Sequence, residues 1–140
     1  MAEAELSRSD RVNIDESVLQ VYKDLTENPN TEQSPFRTYK DVFMFAACLG
    51  YRRGSRKQLS PGKKHTIRRE VFTESDFTLL KAIAIAATGD VDVLLRLGDI
   101  LTIAEEYAYA GIHDLKAHLL DHYGRPLWNL VELLNSYDEA

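Results

Sequence analysis

A chain of 140 residues and 15.9 kDa fits a single domain, which at this size buries about two-thirds of the surface its unfolded chain exposes. With 44% hydrophobic and 28% charged residues, the composition excludes intrinsic disorder and supports a core that requires no metal or disulfide staple. The net charge is −5, the acidic opening Met1-Ala2-Glu3-Ala4-Glu5 lacks the regions of a secretory signal, and no apolar run reaches the roughly 20 residues that span a bilayer, so a cytoplasmic protein without membrane contact is expected.

Residues 1–11 carry no periodicity and are expected to form a flexible tail, with Val12 and Ile14 opening a short strand. From Asp15, a plausible cap, Val18, Val21, Tyr22 and Leu25 recur on one helical face until Asn28-Pro29-Asn30 stops it. Thr38 and Asp41 resemble a capping box ahead of a second helix, apolar nearly all round from Val42 to Leu49 and expected to end at Gly50. Between Tyr51 and Arg69 the apolar periodicity gives way to glycine, serine, proline and cations, which predicts a loop or short β-ribbon. Arg68–Phe72 is the expected strand partner of Val12–Ile14.

Helices resume at Thr73 or Ser75, with Phe77, Leu80, Ala84 and Ala87 on one face and Gly89 as the stop. Asp90 then caps a stripe of Val93, Leu97, Ile100, Ala104 and Tyr107, with Gly98 as a point of kinking or division. Ile112, Leu115 and Leu119 predict a further helix after Gly111 that stops near Gly124. Pro126 opens a last one with Leu127, Leu130, Val131 and Leu134. The expected fold is mainly α: a compact bundle of about five to seven helices, with the basic loop or ribbon between the second and third. Residues 12–136 form the domain, the basic segment is 51–69, and 137–140 form a C-terminal tail.

Charge placement is the most informative feature. Arg37–Arg69 holds ten cations against Asp41 alone, a local +9 that leaves −14 for the rest of the chain within the total of −5. Arg52, Arg53, Arg56, Lys57, Lys63, Lys64, Arg68 and Arg69 form its dense part. Such a cluster repels itself and suits a polyanion, of which nucleic acid is the natural candidate. Phosphate contact needs only positioned cations, whereas base reading needs a defined helix or ribbon in a groove, so weakly sequence-dependent DNA binding is expected. The rival is docking of this segment on the chain's own acidic helices or on an acidic partner protein. Tyr51 suits packing on its helix better than stacking on a base.

Other constellations carry less. Cys48 lies in the apolar run and reads as a small buried hydrophobe. Asp114, His118 and His122 share one side of a helix but read as a solvated polar face rather than a metal site. Glu105 and Glu106 point about 100° apart, so they suit bonds to a neighbouring backbone group or cation better than paired acid–base catalysis. Neither Gly50–Gly54 nor Ser60–Lys64 matches a P-loop, and there is no serine elbow or dinucleotide fingerprint. No cofactor, metal or catalytic residue is assigned, and an enzyme is the less favoured class.

Two stretches carry a family resemblance: Pro35-Phe36-Arg37-Thr38-Tyr39-Lys40-Asp41 through Leu49-Gly50-Tyr51-Arg52-Arg53, and Ile103-Ala104-Glu105-Glu106-Tyr107-Ala108-Tyr109-Ala110-Gly111-Ile112. Over roughly residues 12 to 135 the chain resembles DNA phosphorothioation-associated proteins, in particular the Dnd system-associated protein 4 group. These accompany bacterial gene clusters that replace a non-bridging phosphate oxygen of DNA with sulfur and restrict unmodified DNA. The resemblance implies an accessory role in prokaryotic, antiviral defence, with DNA or the protein subunits of a modification or restriction complex as partners. It transfers no catalytic motif, and homo-oligomers are compatible with it. The alternative is a helical adaptor or regulator that never touches nucleic acid.

Overall fold

The computed structural model describes residues 11–138, so the residues expected to form the ends of both tails lie outside it. Five α-helices and one two-stranded antiparallel sheet make a mainly helical fold. In chain order they are β1 (Arg11–Asp15), α1 (Leu19–Thr26), α2 (Tyr39–Arg53), β2 (Lys64–Arg68), α3 (Glu74–Thr88), α4 (Leu97–Leu119) and α5 (Pro126–Asp138). Short 3-10 turns at Glu16–Val18, Arg69–Val71 and Val91–Leu95 link them.

The core is the crossing of α2 on α4, the most extensive contact between elements. Val42, Phe43, Ala46 and Ala47 of α2 and Ile100, Leu101, Ala104, Ile112 and Leu115 of α4 are fully or almost fully buried. Each large apolar side chain so buried contributes about 1.5–3 kcal/mol. Gly50 and Gly111 are what let the two backbones approach. A Cβ on Gly111 would sit 1.9 Å from the Ala46 carbonyl oxygen, and one on Gly50 would sit 2.1 Å from that of Tyr107.

Two helix ends therefore differ from expectation. Gly50 does not stop α2, which runs three residues further, because the residue meeting the αL cap geometry is Gly54 at φ 67°. Tyr51, Arg52 and Arg53 thus belong to the last helical turn rather than to a loop. Gly111 likewise does not divide α4. From Leu97 to Leu119 it is one helix of 23 residues, about 34 Å long, with Gly98 in its first turn. The segment opened by Asp90 is a 3-10 turn, Val91–Leu95, and α4 begins only after it.

Caps follow the sequence more closely. The Thr38 hydroxyl accepts the Asp41 N–H, Thr73 and Asp76 form a reciprocal capping box before α3, and Gly89 ends α3 in the αL conformation. Lys40 bridges the starts of α2 and α3, reaching Asp76 at 3.0 Å and Asp41 at 3.6 Å.

The strand pairing is corrected in position. β1 pairs with Lys64–Arg68, not with Arg68–Phe72; the register sets Val12 opposite Ile67 and Arg11 opposite Arg68. Ile67 is the side chain that completes the inward apolar face with Val12 and Ile14. Arg69–Val71 instead turns, and this turn carries Phe72 into the core against Phe43, with ring centroids 5.9 Å apart.

Candidate nucleic-acid interface

The eight cations singled out in the sequence divide into two groups. Arg52, Arg53, Arg56 and Lys57 lie at and just beyond the end of α2, where that helix runs along α4. The Arg56 Nε donates to Glu106 Oε1 at 2.7 Å. Arg53 reaches Asp114 at 3.6 Å and His118 Nε2 at 3.1 Å. Three of them also cover aromatic faces: Arg52 over Tyr137 at 4.3 Å, Arg56 over Tyr107 at 5.6 Å and Lys57 over Tyr109 at 5.1 Å. Arg53 and Arg56 thus dock on carboxylates of the protein's own α4, as the rival to DNA contact expected, whereas Arg52 and Lys57 lie over rings. Tyr51 packs edge-on against Tyr107 with ring centroids 5.6 Å apart.

The chain beyond is tied down at two points. The Lys57 N–H donates to the Glu106 carbonyl at 3.1 Å, and the Ser60 N–H donates to Asp15 Oδ2 at 2.7 Å. Asp15, at the end of β1, is buried. Burial alone would raise its pKa, but donation from the Ser17 hydroxyl and N–H and from Ser60 outweighs this and holds it at about 2. Tyr109 completes the cluster, its hydroxyl 3.2 Å from Ser17 Oγ and 3.4 Å from Ser60 Oγ.

Lys63, Lys64, Arg68 and Arg69 form the second group, on the turn and ribbon that this anchoring presents. Gly62 adopts φ 111°, and the Lys64 ammonium folds over the turn onto the carbonyls of Ser60 and Gly62. Lys63 is exposed and makes no ion pair or hydrogen bond among the described residues. The Arg68 side chain is 80% exposed and, among the described residues, pairs with the exposed Glu70 at 2.9 Å. Arg69 is exposed beside the Phe77 ring, 5.7 Å from its centroid.

The ribbon beneath these cations has two faces, because strand side chains alternate. Val12, Ile14 and Ile67 point into the core; Arg11, Asn13, Thr66 and Arg68 take the other face, where Arg11 and Arg68 are exposed, Asn13 and Thr66 half-buried, and Asp15 at the strand end is covered by Ser60. Sequence reasoning missed Asn13 and Thr66 as members of this surface. The alternation Arg11-Val12-Asn13-Ile14 carried the signal, but without the register nothing placed Thr66 beside it. Glu105 turns its carboxylate to the N–H of Asn13 at 2.7 Å and so closes the outer edge of β1.

Several of the remaining polar features have structural partners. Asp114 and His118 are taken up by Arg53, His122 lies beyond the end of α4, and no three metal-ligating side chains gather among the described residues. Cys48 is half-buried, and burial pushes its thiol pKa up, away from a reactive thiolate. A polar cleft of about 660 Å³ lies between α1 and the end of α4, lined by Lys23, Asp24, Glu27, Lys116 and Asp121 among others. Within it Lys116 pairs with Asp121, and Asp24 with Gln20, each at 2.9 Å. No helix among the described residues is long and apolar enough to cross a membrane.

Residues 11–139 match the family model described as DNA sulphur modification system-associated protein 4. No curated protein and no solved structure matches the chain.

Proposed function

The chain belongs to the DNA sulphur modification system-associated protein 4 family, and we propose that it serves such a system as a non-enzymatic accessory subunit that holds the DNA backbone through Lys63, Lys64, Arg68 and Arg69. One observation supports this most: the basic segment is sorted. In its first half Arg53 and Arg56 pair with carboxylates of the protein's own α4, while its second half is carried outward on an anchored turn and ribbon, where the cations meet solvent, backbone carbonyls or the exposed Glu70. Arg52, Arg53, Arg56 and Lys57 then act mainly by fixing that platform, and their remaining exposed charge adds to the local positive field. The far larger acidic surface of the helices does not cancel this field, since salt screens charges beyond roughly 8–10 Å.

Duplex binding measured by fluorescence anisotropy tests the proposal. Four phosphate contacts give a log–log salt slope of about −3 to −4, hence roughly a hundredfold loss of affinity between 50 and 200 mM salt. Lys63→Glu with Arg69→Glu should weaken binding to every sequence alike, on phosphorothioate and ordinary DNA. Absence of binding by folded protein at low salt would remove the proposal.

A second reading is favoured by a separate feature. Trp128, Val131 and Leu134 are exposed on α5, a face suited to a protein subunit of the same system. Retention of the protein on its modification complex after nuclease digestion, and its loss in Trp128→Ala, is the outcome that reading requires.

A further inference from the structure

We propose that the outward face of the β1–β2 ribbon reads base edges in the DNA major groove, with Asn13, Thr66 and Arg68 as the recognising side chains, Arg68 exchanging the phosphate it holds on random duplex for a base edge at a matched site. This rests on the DNA-binding reading above and extends it, because backbone contacts alone carry no direct sequence information.

The ribbon has the shape that such reading needs. The major groove is about 12 Å wide and admits a two-stranded antiparallel ribbon. The inner face, Val12, Ile14 and Ile67, is sealed into the core, so the fold holds the outer face rigidly. Because the Asn13 N–H is bonded to Glu105, it points away from β2. The Asn13–Thr66 pair is therefore of the non-hydrogen-bonded kind, whose side chains stand closest, with Cα atoms about 4.5 Å apart. Arg68 follows Thr66 on the same face about 6.8 Å further along the strand, which matches two nucleotide steps of about 3.4 Å.

The chemistry of the face fits as well. An asparagine amide pairs bidentately with adenine N6 and N7, an arginine fork with guanine O6 and N7, and a threonine methyl packs on the thymine methyl. The Asn13 amide and Thr66 hydroxyl make no hydrogen bond among the described residues, and a solvated pair such as Arg68–Glu70 yields readily to a base. Lys63 and Lys64 at one end of the ribbon and Arg69 at the other supply the phosphate contacts that set a reading element in the groove. None of these groups is needed in that arrangement to build the core, since the core face of the ribbon is made by the intervening residues.

Selection of the full chain on a random duplex pool, followed by affinity measurement on the enriched sequence, tests the inference. Wild type should enrich a short motif. Arg68→Lys keeps the charge but not the fork, so the ratio of its affinities for the enriched sequence and for random duplex, both measured on the variant, should fall roughly 5- to 150-fold through loss of preference at one base pair. Asn13→Ala, which retains the backbone bond to Glu105, should lose preference at a different base pair. If wild type binds duplex but enriches nothing, or if both variants enrich the wild-type motif, base reading is wrong and backbone holding alone stands. If folded wild type binds no duplex at low salt, the DNA reading itself fails and this inference with it.

Discussion

Asp15 shows how one carboxylate can organise a functional segment. It ends β1, caps the turn at Glu16–Val18 and receives the N–H of Ser60, so the strand and the basic segment share one anchor. Its pKa of about 2 lies below the ordinary 3.8, so the charged form is favoured in the folded protein. The stabilisation of about 2 kcal/mol that corresponds to this shift is present above pH 4 and fades as the pH falls from about 4 to 2. Asp15→Asn should therefore cost about 1–3 kcal/mol near neutrality, and the gap between its denaturation curve and that of wild type should close below pH 3. The sequence marked Asp15 only as a cap, because its partner Ser60 lies 45 residues away. A contrasting case is His118 with His122: changing both to Ala should shift stability by no more than about 1 kcal/mol, with no chelator dependence in thermal melts.

At the scale of elements, the close crossing of α2 and α4 is the feature on which the rest depends. Both glycines at the crossing meet backbone, not a side chain that can rotate away, so Gly111→Ala must separate the helices. We expect a loss of about 1–3 kcal/mol or more for Gly111→Ala and for Gly50→Ala. Gly54→Ala meets no atom within 4 Å and should cost only the left-handed conformation, about 1–2 kcal/mol. Thermal denaturation of the three variants orders them; a milder effect at Gly111 than at Gly54 would contradict the close crossing. In the sequence each glycine looked like punctuation. A glycine that ends a helix and one that admits a neighbouring backbone have the same local signature, and only the distant helix tells them apart.

On the scale of the whole molecule, the charge asymmetry becomes a division of labour. Arg53 and Arg56 pair with carboxylates of α4, whereas the cations on the turn and ribbon face outward. Arg53→Gln with Arg56→Gln should lower the melting temperature modestly, since the pairs they break are partly exposed, while leaving most of the salt dependence of DNA binding intact. Lys63→Gln with Arg69→Gln should do the reverse: the melt holds, and the log–log salt slope falls by about 2. Comparing both readouts for the two pairs checks the division directly, and a common effect of the two pairs on DNA binding would erase it.

The sequence by itself determined the helical class, the central apolar helix, the cap at Thr38, a helix start at Thr73 or Ser75, the first short strand and the basic segment, as well as the family resemblance. These are local properties: periodicity, capping chemistry and charge density act within a few residues of one another. The tertiary structure decided the strand register, the continuity of α4 through Gly111, the extension of α2 to Arg53, and the sorting of cations into docked and outward-facing sets. Three of these depend on a partner far along the chain, Ile67 for Val12, Ala46 for Gly111 and Glu106 for Arg56; the extension of α2 follows from the left-handed Gly54, with Gly50 taken up by the crossing. A cation's local sequence looks the same whether a carboxylate or solvent will face it, and packing alone settles which.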